Sequence, residues 1–168
     1  MSIEKAVDIL KGAILLERRG KAFYENVAKN TTSESVKTVF ETMAAEEAKH
    51  IHILEQHFIN LQKDGTFKEI TYSDSPSDII AKEVLNKKIK EDISASGYEA
   101  AAISAAMAME ENAVKYYSGQ RDASEDVLEK ELYQWLSTWE KTHLQFLADI
   151  EKELMETVWY DNNFWPMA

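Results

Sequence analysis

Two short stretches of this chain carry residues suited to metal chemistry: Glu47-Ala48-Lys49-His50 and Glu140-Lys141-Thr142-His143, each with an imidazole three residues after a carboxylate. On a helix, residues three apart share a face, so each Glu-x-x-His pair points in one direction. Each pair also follows a separate glutamate at the same interval, since Glu17 lies 30 residues before Glu47 and Glu110 lies 30 residues before Glu140. A shift of 93 positions carries Glu17, Glu47 and His50 onto Glu110, Glu140 and His143, and also maps Ala13, Tyr24, Leu54 and Leu61 onto Ala106, Tyr117, Leu147 and Leu154. Such a repeat is the trace of two related hairpins facing each other.

The elements that must position these residues are four long helical segments. Apolar residues recur every three or four positions over about residues 3–30, 33–63, 96–122 and 124–158, one stripe per segment. Each stripe is interrupted at one level: by Glu17 between Ile14 and Tyr24, by Glu47 and His50 between Met43 and Leu54, by Glu110 between Ala106 and Tyr117, and by Glu140 and His143 between Leu136 and Leu147. The links Asn30-Thr31-Thr32-Ser33 and Asp122-Ala123-Ser124 are short and force antiparallel neighbours, with Ser33 placed as an N-cap ahead of Glu34. Residues 64–95 form a long crossover, and Ser75-Pro76-Ser77-Asp78 within it reads as a capping signal for a short extra helix. The expected fold is all-α, a ferritin-like antiparallel four-helix bundle of two hairpins joined by that crossover, in a single domain.

Four carboxylates at one level of a bundle core need counter-charge, because an unpaired buried carboxylate costs several kcal/mol and tends to protonate. Two divalent cations match four carboxylates and two neutral imidazoles, which is a di-metal carboxylate pattern. Glu17, Glu47, His50, Glu110, Glu140 and His143 are therefore the expected ligands. Iron is the expected metal, with Mn²⁺ and Zn²⁺ compatible with the same donors.

At these residues a family resemblance enters. Leu16-Glu17-Arg18-Arg19-Gly20-Lys21-Ala22-Phe23-Tyr24, with Met43-Ala44-Ala45-Glu46-Glu47-Ala48-Lys49-His50, resembles the rubrerythrin branch of the ferritin-like superfamily over about 130 residues. The resemblance implies that Glu47 and Glu140 bridge two irons, with Glu17 and His50 completing one and Glu110 and His143 the other. It implies a non-haem di-iron oxidoreductase reducing hydrogen peroxide or dioxygen, fed by a separate electron donor such as a rubredoxin. The family's usual further glutamate, one turn after the third-helix ligand, is Ala113 here, which puts redox-linked ligand exchange in doubt. The six ligands match bacterioferritin equally well, so a ferroxidase is the alternative. Ala48 stands where haem-binding bacterioferritins carry Met, so haem is not expected. An oxygenase acting on an organic substrate and a bundle merely held together by metal are further readings.

The remaining residues divide into site neighbours and bulk. Tyr24 and Tyr117 each sit two turns beyond an outer glutamate, placed either to hydrogen-bond ligand carboxylates or pass electrons, or to be satisfied elsewhere in the core. His57 is expected to be partly buried or at the surface and His52 exposed, while Glu46 and Glu111 are expected in solvent, with support of a neighbouring ligand as the alternative. Met43, Met107 and Met109 are expected as core filler. The aromatic run Trp159-Tyr160-Asp161-Asn162-Asn163-Phe164-Trp165-Pro166 is expected to cover one end of the bundle or to pack on a partner subunit.

Composition narrows the classes. The chain has 168 residues, enough for one core, and only 5 Gly and 2 Pro, which suits long helices. It has no cysteine, which excludes disulfides, thiolate zinc sites, iron–sulfur clusters and a fused rubredoxin centre. A net charge of −11 argues against nucleic acid and anionic lipid as partners. Neither a secretion signal nor a membrane-spanning run is evident, so a cytoplasmic protein is expected, as a homodimer or larger homo-oligomer.

Overall fold

The computed structural model describes residues 2–72, 82–94 and 97–161. Five helices follow one another: α1 (Ile3–Asn30), α2 (Glu34–Asp64), α3 (Lys82–Asp92), α4 (Tyr98–Ala123) and α5 (Val127–Asp161). No strand occurs among the described residues, and the fold is the all-α ferritin-like bundle. α1 pairs along its length with α2, and α4 with α5. The two hairpins meet through α1 and α4, while α3 lies in the crossover against α5 and α2.

Local chemistry sets the helix ends. The Ser2 hydroxyl accepts from the Lys5 amide at 3.3 Å, and the Ser33 hydroxyl accepts from the Val36 amide at 3.2 Å. α2 stops at Gly65, whose φ of 69° suits a residue without Cβ. The start of α5 differs from expectation by three residues. Ser124 adopts an extended backbone and closes α4, its amide donating to the Gln120 carbonyl at 3.0 Å. Asp126 caps α5 instead, accepting from the amides of Leu128 (2.8 Å) and Glu129 (3.0 Å). α4 likewise begins at Tyr98, after Gly97 in the capping position. The Ser75–Asp78 capping signal and residues 162–168 of the aromatic run lie outside the described residues.

α3 is tied at both faces. Ile89 is buried, Lys90 Nζ lies 3.1 Å from Glu153 Oε2 on α5, and Asp92 accepts from the Ser35 hydroxyl at 2.6 Å.

Two apolar clusters fill the bundle on either side of a polar level. One gathers Val36, Phe40, Met43, Ile103, Leu147 and Ile150 with Tyr24, and the other Leu10, Leu54, Leu61, Leu132 and Leu136 with Tyr117. Each such fully buried side chain contributes about 1.5–3 kcal/mol. The polar level between them has no such contribution and stands only if its charges are balanced.

Candidate metal centre

All six expected ligands lie at this level and all are buried: Glu17, Glu47, His50, Glu110, Glu140 and His143 are each no more than 3% exposed. α1 and α4 each supply one glutamate from mid-helix, and α2 and α5 each supply a Glu-x-x-His pair. His50 turns Nδ1 inward, 3.0 Å from Glu17 Oε2, 3.0 Å from Glu140 Oε1 and 3.5 Å from Glu47 Oε2. His143 turns Nδ1 inward from the opposite hairpin, 3.3 Å from Glu140 Oε2, 3.4 Å from Glu110 Oε1 and 3.6 Å from Glu47 Oε1. Glu47 and Glu140 therefore each present one oxygen to one histidine and the other oxygen to the second. The two imidazoles lie nearly parallel, 6.1 Å apart.

Two overlapping sets of four result, Glu17–Glu47–His50–Glu140 and Glu47–Glu110–Glu140–His143, each with donor atoms within 4.8 Å of one another. Both sets share Glu47 and Glu140, so the layout can hold two cations between common carboxylates. Polar satisfaction agrees with that use. Glu140 Oε1 and His143 Nδ1 are buried without a hydrogen bond, although charged atoms surround them. Groups so placed are costly unless something else occupies their lone pairs.

The electrostatics of these side chains show the same demand. Burial, with Glu140 and Glu17 close by, holds the Glu47 carboxyl well above its usual range. Burial and Glu140 raise Glu110 to about 8, with His143 opposing. Burial disfavours charge on His50, yet Glu140 and Glu17 raise it to about 10. Burial opposes charge on His143 too, but Glu110, Glu140 and Glu46 raise it well above an ordinary imidazole. Burial opposes charge on Glu140 as well, and His50 and His143 still hold its carboxyl well below the usual range. The buried carboxyls thus resist ionisation while the histidines are pulled towards positive charge, a demand for cations that two divalent ions would meet.

The two tyrosines do reach ligand carboxylates. Tyr24 on α1 donates to Glu110 on α4, and Tyr117 on α4 donates to Glu17 on α1. Burial and those same carboxylates keep both phenols well above their ordinary range, so they stay protonated as donors. Each outer glutamate is thereby steadied from the opposite hairpin.

Two neighbours depart from expectation, and two more carried none. Glu46 is 3% exposed rather than solvated, and its Oε2 lies 2.5 Å from His143 Nε2. Its position about 100° around from Glu47 does not remove it from the interior, because a bundle helix buries an arc at least that wide. His57 is fully buried rather than near the surface, beside Phe67 and sharing a hydrogen bond of 3.2 Å with the Tyr72 hydroxyl. It is covered by residues after Gly65 in the crossover, which helical periodicity does not register. Trp135 and Trp139 meet His50 edge to face, 5.3 Å and 5.2 Å between centroids, with no signal in ligand spacing. His52 and Glu111 are exposed, Met43 is core, and Met107 packs against it.

A cavity of about 390 Å³ opens between α1 and α4 onto this level. Glu17, Glu47, Glu110 and Glu140 line it together with Gly12, Gly20 and Ala113. Met109 also lines it rather than serving only the core. No helix among the described residues is long and apolar enough to cross a membrane. No curated protein and no solved structure matches the chain. The family model described as Rubrerythrin matches residues 8–151, a span that includes all six buried residues of the candidate centre, and the chain belongs to the rubrerythrin family.

Proposed function

We propose that this protein is a di-iron oxidoreductase that reduces hydrogen peroxide with electrons from a separate donor. The observation that carries the reading is the pair of buried sets sharing Glu47 and Glu140, in a chain of the rubrerythrin family. Glu17, Glu47, His50 and Glu140 would hold one iron, and Glu47, Glu110, Glu140 and His143 the other. Mn²⁺ and Zn²⁺ suit the same oxygen and imidazole donors. Bound iron would supply Lewis acidity and two electrons, enough to turn one peroxide and two protons into two waters.

The chain's own residues set the conditions for that chemistry. Four ligand carboxylates would offset the charge of two divalent cations, and Glu46 adds a fifth buried carboxylate beside His143. Tyr24 and Tyr117 fix Glu110 and Glu17, limiting reorganisation of the outer ligands. The apolar clusters above and below exclude bulk water, and the cavity between α1 and α4 gives a small polar substrate one way in. Because the chain has no cysteine, the electrons would come from a separate redox protein. A cytoplasmic homo-oligomer remains the expected setting.

The cavity also favours a second reading, oxidation of Fe²⁺ as substrate, since it exposes carboxylates to cations within an acidic protein. Anaerobic loading of the apoprotein with Fe²⁺, followed by peroxide or air, separates the two. Two irons per chain oxidised faster by peroxide than by air support the peroxidase. Faster oxidation by air with uptake of many further irons supports the ferroxidase. Failure to hold two irons refutes both.

A further inference from the structure

The 93-residue repeat that matches every ligand fails at the residue before each inner glutamate: Glu46 on α2 corresponds to Trp139 on α5. The structure shows what this difference does. His143 Nε2 meets the Glu46 carboxylate at 2.5 Å while Nδ1 faces Glu47, Glu110 and Glu140. His50 also turns Nδ1 inward, but its Nε2 is buried with no hydrogen-bond partner among the described residues, and its ring lies edge to face against Trp135 and Trp139.

An imidazole that ligates through Nδ1 carries its hydrogen on Nε2. On His143 that N–H has a carboxylate acceptor, which fixes the tautomer and makes the ring a stronger donor. On His50 the same N–H has no acceptor among the described residues, with Trp135 and Trp139 packed against the ring, and the burial goes uncompensated. The ligand sets are otherwise matched.

We propose that Glu46 is a positioning residue that makes the two metal positions unequal, so that a divalent ion binds more tightly beside His143 than beside His50 and fills that position first. The inference rests on the di-metal reading of the site. Loss of such an outer hydrogen bond costs about 10–100-fold in metal affinity.

Titration of the full-length apoprotein with Co²⁺, followed by calorimetry and visible absorption, tests it. Single-position variants remove the coupling between two bound ions. Glu17→Ala, which keeps the His143 position, is expected to bind Co²⁺ at least about 10-fold more tightly than Glu110→Ala, which keeps the His50 position. Adding Glu46→Leu to Glu17→Ala should weaken binding about 10–100-fold, while adding it to Glu110→Ala should change little. Glu46→Gln keeps an acceptor for the N–H but loses the charge, and should fall between. It also carries the test if the leucine variant does not fold. Equal affinities in the two single-position variants, equal losses in both backgrounds, or folded Glu46 variants of Glu17→Ala that bind as Glu17→Ala itself does would each overturn the inference. A wild-type protein that binds no Co²⁺ would instead sink the metal centre itself.

Discussion

His57 gives a quantitative handle on how the crossover seals the bundle. It is fully buried, and burial lowers its pKa from the usual 6.5 to about 4. Between those values the unfolded chain takes a proton that the native state refuses, so stability present above pH 6.5 is lost as pH falls towards 4. The full gap corresponds to about 3 kcal/mol, of which about 2 kcal/mol is gone by roughly pH 5. The perturbation is His57→Leu, which cannot titrate and roughly keeps the volume. The assay is urea unfolding of chelator-treated protein, followed by circular dichroism at about pH 7 and about pH 5. The carboxylates of the metal site titrate in both proteins and cancel in the difference, since Glu47 and Glu110 touch none of the residues changed. Wild type should lose about 2 kcal/mol more than His57→Leu over that interval. Equal losses in the two proteins would show that His57 reaches water in solution, and the packing of Phe67 and Tyr72 over it would be refuted.

Other consequences follow from the shared carboxylates and the cavity. Glu140→Ala and Glu47→Ala should each abolish binding of both metals, whereas Glu17→Ala and Glu110→Ala should each leave one, as read by metal content after gel filtration; a Glu140→Ala protein retaining two ions would contradict the bridging layout. Removing metal should lower the melting temperature by roughly 10–20 °C, from about 2.7 kcal/mol per site at a hundredfold excess over Kd, and calorimetry showing no shift at saturation would refute a structural contribution. Ala113→Leu should narrow the cavity and slow oxidation of the iron-loaded protein by peroxide several-fold while metal content stays at wild-type level; an unchanged rate would mean that the substrate enters elsewhere.

Much of this protein was legible before any coordinates. Periodicity of three and four, broken at one level on four segments, contains both the bundle and its ligands, because a helix converts spacing directly into direction. The internal shift of 93 adds a second constraint, and charge balance turns buried glutamates into a demand for cations. The pairing of Tyr24 with Glu110 and Tyr117 with Glu17 was visible only as an option, since each phenol crosses to the other hairpin.

What spacing could not decide were contacts set by the relative rotation of helices. Glu46 reaches His143 from 97 positions away, and nothing local distinguishes it from exposed Glu111, which also adjoins a ligand. His57 is buried by Phe67 and Tyr72, residues of a crossover whose path has no periodicity to read. The cavity is lined by residues of α1 such as Gly12 and Gly20 and of α4 such as Met109 and Ala113, which only packing brings to face one space. Sequence by itself determined the four helices and the six residues that interrupt their apolar stripes, since spacing along one segment sets direction, but it left Glu46 and His57 outside the core that buries them. Only the tertiary structure decided which of them meet and which position gains the Glu46 hydrogen bond, because those depend on how separate rigid helices pack.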